Sequence, residues 1–201
     1  MLESIIEFWY LWAVIAVLII VLIPVLIRVS KSVKKRNEAN EKMRKEFERI
    51  KFLKDKYAVL DREKVLSADA EELAEGVTAV LQYKLEKSLT PDTDFENEEK
   101  WRREVYALFW FDEDVTELSL SDFFRHNGEP LPKEAVNGIE SIGYDKIKSV
   151  VAQMYAMCDD KNENVSFDKD RIAELDEKFR NVYDRDEFFE LIKNYISKNM
   201  N

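Results

Sequence analysis

Residues able to do covalent or proton chemistry are few in this chain. One histidine, His126, and one cysteine, Cys158, stand against 41 Asp and Glu. A catalytic histidine needs an orienting partner. None lies at a recognisable spacing from His126, which reads as an exposed residue in the last turn of a helix. A single cysteine excludes an internal disulfide and fits a reducing compartment. Asp160, Asn162 and Asn164 open like a calcium loop, with oxygen ligands at positions 1, 3 and 5. Position 6 is then Val165 where glycine is required, and position 12 is Arg171 where a bidentate Glu belongs, so the segment reads as a solvated loop. Asn164-Val165-Ser166 matches a glycosylation acceptor, which the cytoplasmic placement derived below takes out of use. The sequence holds no phosphate-binding loop, dinucleotide fingerprint, nucleophile elbow or Cys/His metal set. Enzyme chemistry would have to rest on carboxylates, and no pair of them stands apart from an ordinary charged helix face. No cofactor and no metal are expected.

The carboxylates that do cluster are Asp112, Glu113, Asp114, Glu117 and Asp122, five acids within eleven residues. If the turn that carries them projects from the body of the protein, they form a patch. Its potential draws a basic protein surface and speeds association. The competing reading is that they cap and solubilise the ends of two helices.

Charge is unevenly divided around this patch. Residues 28–56 hold twelve Lys and Arg against five Asp and Glu, whereas residues 57–201 carry a net −15 of the chain's −10 total. A basic collar therefore precedes a strongly acidic region. Upstream of the collar, Phe8 to Ile27 is a run of twenty residues without a charge. As a helix it is about 30 Å long, which matches the hydrocarbon core of a bilayer, and it has no polar face. It lacks the basic start and small-residue cleavage site of a signal peptide, so it reads as an uncleaved anchor. The bases Arg28, Lys31, Lys34, Lys35 and Arg36 all follow the span, and only Glu3 and Glu7 precede it. The positive-inside rule places the N-terminus outside and the rest in the cytoplasm, a single pass through the cell membrane. Trp9, Tyr10 and Trp12 suit the outer interface, and Pro24 is placed to kink the inner end. The collar bases would attract anionic lipid headgroups, each by about 1 kcal/mol near the surface.

The elements that must position the acids read as helices throughout. Met43, Phe47, Ile50, Leu53, Tyr57 and Leu60 recur at three- and four-residue steps, a stripe along a charged stalk helix. Both a break after the span and one continuous helix fit the pattern. A strict heptad is not sustained, so the spacing alone does not indicate a coiled coil. Ser67 followed by Asp69, Glu71 and Glu72 reads as a helix start, and Thr90-Pro91 disfavours continuation beyond Ser88. Thr93 with Glu96 reads as a capping box for a helix through Val105 to Phe111. Asp112 to Asp114 then reads as an acidic turn. Ser119 or Ser121 caps a short helix, which Asn127-Gly128 closes in left-handed geometry. Pro132 suits the first turn of the next helix and Gly143 its end. Tyr144 to Met157, a helix bearing Ile172, Leu175, Phe179 and Val182, and a last helix capped by Asp184 or Asp186 complete the pattern. The fold class is all-α: a single N-terminal transmembrane helix (1–28), a basic helical stalk (29–64) and a compact acidic helical bundle (65–201).

The stretch Val105-Tyr106-Ala107-Leu108-Phe109-Trp110-Phe111-Asp112-Glu113-Asp114-Val115, with Leu120-Ser121-Asp122-Phe123-Phe124, resembles the centre of the DNA-mimic-protein-like family of small helical bacterial domains. That family follows its apolar helix with an acidic residue and Val, then Asn-Asn-Gly-Gly-Phe-x-Gln-Phe-Phe and a helix ending near Ile-Gly. Ala135 to Gly143, Leu175 to Phe179 and Phe188 to Ile196 are similar to its later parts, and the resemblance covers roughly residues 85–198. This chain has Thr116 to Asp122 in place of the amide- and glycine-rich segment, so no role of that segment carries over. The resemblance implies a helical fold and acidic surfaces that imitate a DNA backbone toward a DNA-binding protein.

Three readings follow. The first is a membrane-tethered module whose acidic domain binds a basic or DNA-binding protein, without binding nucleic acid directly. The second is a structural membrane component in which the stalk self-associates into a homo-oligomer. The third is a carboxylate enzyme, which the missing motifs disfavour.

Overall fold

The computed structural model describes the backbone of residues 9–158 and 168–200, with the side chains of 31, 33–158 and 168–200. Every regular element among these residues is a helix, as the periodicity predicts. The chain divides into two compact units, Met1–Arg49 and Ile50–Asn201.

Helix α1, Trp9–Tyr57, is continuous over 49 residues. The charge-free run falls at its start. Phe8 and the side chains of Trp9, Tyr10, Trp12 and Arg28 lie outside the described residues. Among the described residues no helix is long and apolar enough to cross a membrane. In the first unit every described side chain is exposed. Charge pairs along the helix support it: Lys34 with Glu38 at 3.9 Å, Lys45 with Glu41 at 3.5 Å, and Arg44 with both Glu41 and Glu48 at 3.8 Å. Such pairs contribute about 0.2–0.5 kcal/mol each to a solvated helix.

The second unit takes in the last turns of α1, where Leu53 and Tyr57 are buried in its core. The expected apolar stripe is thus buried at Leu53 and Tyr57, whereas Met43, Phe47 and Ile50 stay exposed. Asp61 caps α2, Arg62–Ser67, by accepting from the Lys64 amide at 2.8 Å. Ser67 does not start a helix, contrary to expectation. It ends α2 with its hydroxyl donating to the Glu63 carbonyl, and Asp69 caps α3, Ala70–Lys87. A charged acceptor two residues further on makes the stronger cap. The Thr93–Glu96 capping box is likewise absent. Pro91 opens a short helix, α4 (Pro91–Glu96), which absorbs both residues, and α5 begins separately as Lys100–Glu117.

Beyond α5 the order is α6, Leu120–His126, α7, Leu131–Ile142, α8, Asp145–Cys158, α9, Lys169–Val182, and α10, Arg185–Asn199. Ser119, Asp168 and Asp184 cap α6, α9 and α10. Asn127 is extended (φ −98, ψ 133) where a left-handed stop was expected. Its amide satisfies the end of α6 by donating to the Phe123 carbonyl at 2.9 Å. Gly143 does take the left-handed geometry, at φ 74. Val182 is 40 % exposed and not part of the core. The candidate calcium and glycosylation positions, Asp160 to Ser166, lie outside the described residues.

Helix α5 is the axis of this unit, with α3, α6, α7 and α10 packed around it. Gly138 lets α7 approach closely, since a Cβ there would stand 2.8 Å from Leu108 Cγ. At the far end of α5 the Phe111 ring meets Phe123 at 5.1 Å and Phe179 at 5.7 Å, both edge-on.

Candidate partner-binding site

The inward face of α5 runs Trp101, Glu104, Val105, Leu108, Phe111 and Asp112, each buried, at helical steps of three and four. Two of these six are carboxylates, and both are fully inaccessible. A buried charge is tolerated only when it is paired and hydrogen-bonded, so each must be matched from another element.

Asp112 is matched from the α9–α10 junction. Tyr183 donates its hydroxyl to Oδ1 at 2.5 Å, and Arg185 Nε donates to Oδ2 at 2.9 Å and Oδ1 at 3.2 Å. The other two guanidinium nitrogens of Arg185 form a fork on Glu71 of α3, both contacts at 3.0 Å. Burial first, and then the Asp112 charge, push the Tyr183 phenol far above its ordinary range. The hydrogen bond to Asp112 likewise raises Arg185. Both groups therefore stay protonated as fixed donors. Glu104 is matched by Ser141 at 3.0 Å, by Lys100 at 3.4 Å and by the Tyr195 hydroxyl. Burial, followed by the bond to Glu104, pushes Tyr195 up to about 12.

A cleft of about 320 Å³ opens beside the first network. Thr116, Leu118 and Ser119 line one side, and Phe179, Arg180 and Tyr183 the other. Its floor is aromatic, with the Phe179 and Tyr183 rings stacked at 4.8 Å. Asp176 in its wall caps α6 from α9, accepting from the Ser121 amide at 2.9 Å and hydroxyl at 2.8 Å. The cleft thus forms where the segment after α5 crosses the end of α9.

The five acids singled out in sequence do not share one surface. Asp112 points into the core. Asp114 is half-buried and accepts from the Asn127 amide at 2.6 Å, and Asp122 is tied to the Ser119 hydroxyl at 2.7 Å. Glu113 is half-buried and Glu117 exposed. Glu71 joins these two from α3; the sequence shows it only as an acid of a helix start, because nothing local links it to α5. Burial pushes the Glu113 carboxyl up, the Asp112 charge adds to this, Arg185 opposes it, and Glu117 and Glu71 push it further. The basic residues Lys31, Lys34, Lys35 and Arg36 are exposed on α1. Among the described residues no group of three or more His, Cys, Asp or Glu could hold a metal ion.

The model of the DMP19-like protein family matches residues 96–199, which takes in α5 to α10 with Asp112, Tyr183 and Arg185. The chain belongs to that family. No curated protein and no solved structure matches the chain.

Proposed function

We propose that this member of the DMP19-like family is a membrane-anchored interaction module whose cytoplasmic acidic domain occupies a basic surface of another protein, of the kind a DNA-binding protein presents. The observation that carries this reading is the environment of Glu113. Glu113 and Glu117 of α5 and Glu71 of α3 gather around one guanidinium, Arg185, which lies 3.0 Å from Glu71 and 3.9 Å from Glu113 and is also held by the buried Asp112. Burial first, then the Asp112 charge, raise the Glu113 carboxyl, Arg185 opposes this, and Glu117 and Glu71 add to it. The carboxylates here outnumber the one guanidinium, and a partner's Lys or Arg supplies positive charge to them. The net −15 of residues 57–201 extends the same sign over the domain. The anchor is supported by the uncharged run Phe8 to Ile27 and by bases that follow it only on one side.

The test neutralises Glu71, Glu113 and Glu117 to Gln in the full chain and recovers partners from detergent. The expected result is loss of a basic co-purifying protein that the unaltered chain releases as salt rises. Retention of that protein by the triple variant at every salt concentration would overturn the patch. The anchor is tested by a tag after Asn201: resistance to protease in intact cells and digestion after lysis are expected, and digestion from outside reverses the topology.

A further inference from the structure

From the exposed stripe of α1 we infer that the stalk pairs in parallel with the stalk of a second copy of this chain. Val33, Met43, Phe47 and Ile50 are 50, 58, 75 and 42 % exposed. They fall at heptad positions a, d, a and d, and the a position between Val33 and Phe47 is Asn40. A polar residue at one a position fixes register in two-stranded coils. Arg36, at d, opposes close packing there, so the tight part of the seam runs from Asn40 to Ile50.

Charge selects the occupant. Lys34–Glu38 and Lys45–Glu41 pair b with f positions away from the seam, whereas Arg44, at e, pairs with Glu41 and Glu48, and Glu46, at g, lies 3.8 Å from Arg49 of its own helix. In a parallel pair Glu46, at g, faces Lys51, at e, of the other copy, an attractive g-to-e contact. Lipid does not reach the tight part of the seam. Phe47 follows Ile27 by twenty residues, about 30 Å of helix at 1.5 Å per residue. A seam this short is marginal for free chains. The inference rests on the anchored reading, because confinement to one bilayer makes the stalks parallel and supplies the effective concentration that free chains lack.

The full chain with Cys158→Ser is reconstituted in vesicles and carries single cysteines on the stripe (Asn40→Cys, Met43→Cys) or opposite it (Glu38→Cys, Lys45→Cys). Oxidation should yield disulfide dimers about ten-fold faster at the stripe, as facing a and d positions require. Glu46→Lys should slow this, and adding Lys51→Glu should restore it. Chain held in the vesicle fraction with equal cross-linking on both faces, or with none, overturns the dimer and leaves the anchor standing. Chain absent from that fraction defeats the anchor and this inference together.

Discussion

The ring of Tyr57 rests where a side chain at position 76 would begin: a Cβ on Gly76 would stand 2.0 Å from Tyr57 Cδ2. The end of α1 is therefore locked against α3 by a ring filling the space above a glycine. The Tyr57 hydroxyl completes the contact by donating to Glu72 Oε1 at 2.7 Å.

Gly76→Ala should destabilise the second unit by about 1–3 kcal/mol, the usual cost of overpacking, even though alanine gains roughly 1 kcal/mol of helix propensity. Urea denaturation of Gly76→Ala, of Tyr57→Leu and of the pair measures it. The pair should cost less than the sum of the singles, and strict additivity would mean the ring does not occupy that space.

Asp112→Asn separates two roles for this acid. A surface patch residue would alter binding and leave stability alone. Held inside by Tyr183 and Arg185, Asp112 should instead cost stability, about 1–3 kcal/mol for mispaired buried groups, with partner capture unchanged at temperatures where the variant is folded. A melting temperature equal to the unaltered chain's would contradict the buried network.

The raised carboxyl of Glu113 has a definite pH sign. A folded-state pKa above the unfolded value means the native state binds the proton more tightly, so the ionised form costs stability. That cost is absent below the ordinary value of 4.5, grows as pH rises through the raised folded value, and is complete above it. Glu113→Gln should therefore raise the melting temperature at pH 7 and leave it unchanged at pH 4. A gain of equal size at both values would point to a cause other than charge.

Phe111→Ala should cost about 3–5 kcal/mol, since the ring is fully buried among Phe123, Phe179 and Phe188. Phe109, two positions earlier and half-buried, should cost clearly less on the same replacement. Equal losses in calorimetry would place both rings in the core and contradict the face assigned to α5.

Much of the bundle is written in local chemistry. Asp184 before the last helix, Gly143 after α7 and Pro132 inside its first turn each act through their own backbone, so sequence displays them. Asp112 shows what local chemistry conceals. It lies seven residues after Val105 and four after Leu108, on the stripe that faces inward, so its burial was present in the spacing. Ending α5 at Phe111 turned that carboxylate into a loop residue and hid it. Glu71 carried no such signal, because its partner Arg185 is 114 positions away and only packing brings them together. Ser67 loses the cap to Asp69 two residues on, and Thr93 falls inside the short helix that Pro91 opens, so at both places a neighbouring residue decides the start.

The dependence on α10 has a consequence in time. Arg185 is the cation between Glu71 and Asp112, and its helix packs on α2, α3, α5 and α7. A growing chain that has not yet exposed Arg185 therefore lacks the cation that both carboxylates need. Completion of the second unit then waits until synthesis has passed α10. Stalled nascent chains should resist protease only when spacer sequence has pushed residues through Ile196 into the open, and resistance with Arg185 still in the tunnel would refute this order.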